Sequence, residues 1–255
     1  MKQKHKNKSR LYIVVVLAAA VAGFILAKVA PMEAGHGFSA VFDKGTEQKT
    51  KATTTTTTKE KNKQIVVKKL SYSEQVNEAL EQGKFINRLP IKLLLQTDER
   101  WKDTAYGVGN PDGNSLEING CAILSLAMVS SYLDSKDYTP QDILNWSQNN
   151  YYIENEGTSW QIFYDFAQAK GYQYQDLGID IAQVEDQLKQ QHPIIVSVKP
   201  GRFTETGHIM VISGTDNGKF WLNDPNDSET KGHSQKEFTA DELMNEAVNF
   251  WAIYK

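Results

Sequence analysis

Residues 44–64, KGTEQKTKATTTTTTKEKNKQ, contain no aromatic residue and almost no aliphatic one, and they divide the chain into parts that must be organised by different means. A segment of this composition buries too little apolar surface to offset the entropy of ordering it. A disordered Thr/Lys-rich tether is therefore expected over residues 31–70. All five tryptophans lie beyond it: Trp101, Trp146, Trp160, Trp221 and Trp251. From Leu89 to the C-terminus the chain is dense in apolar pattern, and roughly 165 residues suffice for one hydrophobic core. Between tether and core, residues 71–88 carry a short helix or stalk, read as Ser73–Gln82 and ended by Gly83.

The other end is of a different kind. Residues 1–10, MKQKHKNKSR, hold five Lys/Arg and form a basic tail. Residues 11–27, LYIVVVLAAAVAGFILA, carry no charge. As a helix at about 1.5 Å per residue this run spans about 25 Å, and snorkelling of Lys28 lets Val29 and Ala30 extend it. Residues 11–30 are read as a transmembrane signal anchor, the basic tail staying in the cytoplasm and the remainder outside the cell. The rival reading is a cleaved signal peptide that releases a secreted protein. It meets a poor cleavage signal, with Lys28 two residues before Ala30 and Pro31 directly after. The expected location is thus the cell membrane, with a single pass and an extracellular C-terminal domain.

Composition excludes several function classes. The basic residues of the C-terminal part form no stripe with interleaved aromatics, which argues against a nucleic-acid partner. A single cysteine rules out an internal disulfide framework and a cysteine-based zinc site. The five histidines include no HxxxH pair, so neither a metal nor another cofactor is expected. The sequence leaves the oligomeric state open.

Within residues 89–255, caps and punctuation mark the elements. Thr139-Pro140 opens a helix to about Asn149. Thr158-Ser159-Trp160-Gln161 reads as a capping box for a helix stopped by Gly171. Asp180 caps a helix to about Gln191, and Thr239-Ala240-Asp241-Glu242 is a second capping box. Strands are expected at Ile194–Val198, His208–Ser213, Lys219–Asn223 and Val248–Tyr254, with Asn217-Gly218 turning a tight hairpin between the second and third. Helices dominate the first half and antiparallel strands the second, an α+β layout.

The lone Cys121 stands at the start of an apolar helix, in Asn119-Gly120-Cys121-Ala122-Ile123-Leu124. An unpaired thiol outside the cell is an oxidation liability, whereas backbone N–H groups at a helix N-terminus stabilise a thiolate. A thiol nucleophile needs a base, and the base an orienting group. His208, opening a strand after Gly207, is the natural base. The hairpin at Gly218 returns the chain so that Asn223-Asp224 ends near His208, a bulge or register offset absorbing the unequal arm lengths. Asn223 and Asp224 point to opposite faces, so one of them can orient the imidazole. Trp101 and Trp160 are candidates either for the groove or for the core.

This order of Cys121 at a helix start, Gly207-His208 opening a strand and Asn223-Asp224-Pro225 ending the next resembles the C39-like cysteine peptidase family, which has a papain-like fold. The segment Leu94-Leu95-Gln96-Thr97-Asp98-Glu99-Arg100-Trp101 is similar to the glutamine segment of that family. The resemblance covers about residues 89–255. It implies Cys121 as nucleophile, His208 as general base, Asp224 as orienting acid and Gln96 as an oxyanion donor. It also implies a peptide or protein substrate, cut at a peptide or isopeptide bond. Family members often carry Gly-Pro after the cysteine where this chain has Ala122-Ile123, so a catalytically silent peptide- or wall-binding domain of the same fold is the alternative. A cell-wall amidase or transpeptidase is the third reading. Transporter-fused members cut double-glycine leaders in the cytosol, a substrate that the outward orientation expected here does not share.

Overall fold

The structure is a computed structural model that describes residues 69–108 and 113–255. The basic tail, the signal anchor and all but the last two residues of the tether lie outside the described residues. Among the described residues no helix is long and apolar enough to cross a membrane.

In chain order the elements are α1 (Tyr72–Glu81), α2 (Leu116–Asn119), α3 (Cys121–Asp134), α4 (Pro140–Ser147), β1 (Tyr152–Ile153), β2 (Gly157–Thr158), α5 (Gln161–Lys170), β3 (Gln173–Gly178), α6 (Ile181–Lys189), β4 (Ile194–Val198), β5 (His208–Asp216), β6 (Lys219–Asn223), β7 (Glu237–Thr239), α7 (Ala240–Met244) and β8 (Ala247–Tyr254), with a 3-10 turn at His233–Gln235. Local chemistry accounts for most boundaries. Thr139 with Asp142 and Thr239 with Glu242 form reciprocal capping boxes, and Asp180 accepts from the Ala182 and Gln183 N–H groups. The expected box at Thr158–Gln161 does not form. Thr158 belongs to β2 and its hydroxyl bonds that of Tyr106 at 2.8 Å, while Trp160 occupies the N-cap of α5 without a side-chain cap.

Six strands form one antiparallel sheet in the order β3-β8-β4-β5-β6-β7. The alternation of side chains along them separates two cores. Ile195, Ile209, Val211, Trp251 and Ile253 pack against α3, α4 and α5 on one face. Ile194, Val196, Met210, Ile212, Leu222 and Phe250 pack with Val184 and Leu188 of α6 and Leu243 of α7 on the other. β4 is buried along its whole length, as expected for a central strand covered on both faces. α3 is apolar all round because it is a core helix: every residue from Ala122 to Ser130 is buried.

The segment before Leu89 is part of this body. Ser71 and Glu74 form a capping box for α1, Val76 is fully buried, and Asn77 bonds the Leu93 backbone in both directions, accepting at 2.7 Å and donating at 3.1 Å. The helix expected at Ser73–Gln82 thus docks on the domain rather than extending a stalk. Val76→Ala should therefore lower the stability of the full-length chain by about 1–3 kcal/mol in urea denaturation. An undocked helix would leave it within about 0.5 kcal/mol.

Candidate active site

Cys121 is the first residue of α3 and is half-buried. The short turn of α2 delivers it. Gly120 joins the two helices, and a Cβ there would lie 2.3 Å from the Leu116 carbonyl oxygen, so only glycine permits so tight a junction. Gln96 braces the same junction: its Nε2 donates to the carbonyls of Leu116 at 3.0 Å and Glu117 at 2.9 Å. Both of its amide protons are thereby engaged. Its Oε1 is buried without a partner, and the side chain does not line the cleft that holds Cys121.

His208 begins β5 and Asp224 follows directly on β6. The Asn217-Gly218 turn has positive φ at both positions, 49° and 73°, as the hairpin requires. The unequal arms are absorbed by a register shift between Ile212 and Gly214, which leaves Asn223 opposite Val211 and His208 opposite Val198 of β4. At Gly214 a Cβ would meet the Asn87 carbonyl oxygen at 2.3 Å, so the Asn87–Arg88 backbone, bridged antiparallel to Gly214, comes this close only because glycine stands there.

Asp224 and Asn223 then diverge. Asp224 Oδ1 meets His208 Nε2 at 2.7 Å. Asn223 turns the other way, accepting from Arg88 Nη2 at 2.9 Å and donating to the Ile91 carbonyl at 2.9 Å. A carboxylate only accepts, so His208 Nε2 carries the proton. Whenever the ring is neutral, its Nδ1 holds the lone pair. Burial in itself favours the neutral ring, but the bond to the Asp224 carboxylate, with Cys121 close by, overcomes it and pushes the His208 pKa up to about 10. Burial also disfavours the Asp224 carboxylate. The histidines His208 and His233 and the Asn226 N–H outweigh that and hold it well below the usual carboxylate range.

Comparison with known proteins bears on this geometry. The family model described as Peptidase_C39 like family matches residues 89–255. The chain belongs to that family. Its C39-like domain has the α+β papain-like arrangement of a helical N-terminal part and an antiparallel sheet. The peptidase domain of Streptococcus ComA, a bi-functional ABC transporter, is 18% identical, with TM-score 0.44 over 64% of this chain and 96% of that one. A C39-like peptidase from Bacillus anthracis is 14% identical, with TM-score 0.40 over 65% and 94%. A double glycine motif protease from an AMS/PCAT transporter, solved with its leader peptide, is 13% identical, with TM-score 0.42 over 66% and 93%. No curated protein matched the sequence.

In this C39-like domain Cys121 and His208 line one cleft of about 660 Å³. Its walls are the β1–β2 hairpin, the end of β4 with Lys199 and Pro200, and exposed Ile118, Trp160 and Val248. Trp160 is anchored edge-on to buried Trp251 at 5.0 Å. Trp101 is instead core, its indole N–H bonding the Leu95 carbonyl. At Gly207 a Cβ would meet nothing within 4 Å, so this residue leaves open space at the cleft. A larger groove of about 970 Å³ runs beneath α1 and contains neither Cys121 nor His208. Ala122 and Ile123, where family members often carry Gly-Pro, are both fully buried.

Sequence reading assigned nothing to His233, yet it is buried and its Nδ1 lies 2.7 Å from Asp224 Oδ2. No periodicity signals a loop that leaves Asp224 and returns nine residues later; the only hint is Gly232, which takes φ 59° at the return. Donor atoms of Asp224, Asp227 and His233 lie within 4.8 Å of one another. Each carboxylate oxygen in this group already accepts from a ring nitrogen, a hydroxyl or backbone N–H groups.

These shifts give stability two pH-dependent arms. The Asp224 contribution is present above the unfolded carboxyl value of about 3.9 and is lost as pH falls through the folded value. The His208 contribution is complete below about 6.5 and is lost as pH rises towards 10. His208→Gln should therefore flatten the decline in Tm between pH 7 and 10, as followed by thermal denaturation. An alkaline slope identical to wild type would exclude the buried imidazolium.

Proposed function

We propose that the chain is a membrane-anchored extracellular cysteine peptidase that hydrolyses a peptide or isopeptide bond through Cys121, His208 and Asp224. The observation that carries this reading is the 2.7 Å bond that His208 Nε2 donates to Asp224 Oδ1, at a ring that lines the same open cleft as Cys121. Membership of the C39-like family supports it.

In this mechanism His208 takes the thiol proton, leaving a thiolate beside an imidazolium. Asp224 keeps the ring in one tautomer and orientation. The thiolate attacks the substrate carbonyl, and the tetrahedral oxyanion forms beside the Cys121 backbone N–H at the start of α3, where first-turn N–H groups have no helical acceptor. The imidazolium returns its proton to the leaving amine, and water attacks the acyl-enzyme to release the second product. Gln96 holds the turn from which that N–H projects. To donate to the oxyanion itself, it gives up its bond to the Leu116 or the Glu117 carbonyl. The apolar walls at Ile118, Trp160 and Val248 favour a substrate segment with bulky apolar side chains.

Burial of Ala122 and Ile123 places the departure from Gly-Pro in the α3 core, outside the cleft, so it does not favour a silent domain. Full-length chain in detergent should react with iodoacetamide at pH 6 at least about tenfold faster than free cysteine. His208→Ala should bring the rate down to that of an ordinary thiol. An ordinary wild-type rate, indifferent to His208, would sink the proposal.

Membrane anchoring rests on the uncharged run 11–27 and its basic flank. In intact cells, protease added outside should remove the C-terminal domain while the chain fractionates with membranes after an alkaline wash. A protected domain, or release into the medium, would contradict the anchored orientation.

A further inference from the structure

We propose that His233 is a positioning residue of this site, fixing the Asp224 carboxylate so that its other oxygen meets His208. The inference rests on the peptidase reading above and adds a fourth side chain to it. Asp224 has no solvent exposure, so each of its oxygens needs a partner. Oδ1 has two, His208 Nε2 at 2.7 Å and the Asn226 N–H at 2.8 Å. Oδ2 has His233 Nδ1 at 2.7 Å. Because the carboxylate only accepts, this nitrogen carries the proton. Without it a buried carboxylate oxygen is orphaned, and the group must rotate or take up a proton. Rotation moves the oxygen that His208 bonds, and protonation removes its charge.

His233 is itself immobilised on every side. Its ring stands edge-on to Phe203 at 5.5 Å and to Phe238 at 5.8 Å. Its backbone N–H donates to Asp227 Oδ1 at 3.0 Å, and the Ser234 N–H donates to Asp227 Oδ2. Tyr72 of α1 donates to that same Oδ2 at 2.8 Å. Ser234 Oγ accepts the Asp224 backbone N–H at 3.1 Å, so the 233–234 pair grips Asp224 by side chain and main chain together. The titratable and charged groups around this chain are Cys121 and Asp224 facing His208, then His208 and His233 facing Asp224, with Tyr72, Asp227 and Arg88 behind them.

Two substitutions separate donation from packing. His233→Phe keeps an aromatic ring in the slot and removes the donor. His233→Asn keeps a donor and removes the ring. The readout is the titration of the His208 ring by 15N NMR in the full-length chain, which a purely structural role for His233 does not move. His233→Phe, and His233→Ala if the Phe variant does not fold, should lower the His208 midpoint by about one unit, a tenfold change in its protonation equilibrium. His233→Asn should hold it near wild type. An unchanged midpoint in a folded donorless variant overturns the proposal, as does an equal fall in the Asn variant. The peptidase reading is judged separately by wild-type Cys121 alkylation at pH 6. A slow wild-type thiol with a His233-dependent His208 midpoint would fail that reading and leave the hydrogen-bond role standing.

Discussion

A carboxylate with no access to water constrains this fold more than any other single group. Transferring an unpaired charge into a protein interior costs several kcal/mol even after relaxation, so the chain around Asp224 has to arrive with donors already in place. Three segments, all within 16 positions of it, supply them. The first residue of β5 brings His208, the turn after Pro225 brings the Asn226 N–H, and the loop returning at Gly232 brings His233. Arg88 ties these segments together from the opposite side, donating to Ser213 of β5, to the Leu222 carbonyl and Asn223 of β6, and to the Ser234 carbonyl. The buried cation and the buried anion do not touch. Each is satisfied by the framework that separates them, which makes the end of the sheet rigid around His208 and Asp224.

Rigidity on the sheet side is matched on the helix side. Cys121 sits on a core helix that cannot shift without disturbing buried residues from Ala122 to Ser130. The glycine before it leaves no room for relaxation against Leu116, and Gln96 clamps the preceding carbonyls. Cys121 and His208 are therefore fixed by two independent bodies of packing that meet at one cleft. Interactions of this kind act by preorganisation, since no group has to be ordered when charge develops. The same arrangement explains the orphaned Oε1 of Gln96. Its amide group is turned to satisfy two carbonyls, and the oxygen is left over.

What could be read from the residues divides along the same physical lines. Caps are local, and those at Thr139, Asp180 and Thr239 formed as their side chains dictate. The strands β4 and β6 have the boundaries expected from their β-branched and aromatic runs, because both are buried strands whose composition records that burial. β3 escaped notice because it is an edge strand: QYQDLG exposes most of its polar side chains and owes its conformation to pairing with β8. The box at Thr158–Gln161 failed because Tyr106, distant in sequence, claims the Thr158 hydroxyl. The pairing of His208 with Asp224 was foreseeable from the hairpin, whereas the choice of Asp224 over Asn223 depends on Arg88, 135 positions before Asn223. His233 depends on a loop path that no periodicity encodes.

The position of α1 follows from the same network. The family match begins at Leu89, yet the hydrogen bonds that fix the loop behind Asp224 extend through Asp227 to Tyr72. A helix held only by apolar contacts could slide along the surface; one that bonds a buried carboxylate and the Leu93 backbone has a single register. α1 also borders the groove on the far side of the 92–101 segment and contributes nothing to the lining of the Cys121 cleft. The chain thus enters the domain behind the Asp224 carboxylate, which leaves the mouth of the cleft to the β1–β2 hairpin, Trp160 and the end of β4. Entry at the back lets α1 support the loop that carries His233 and leaves the cleft open.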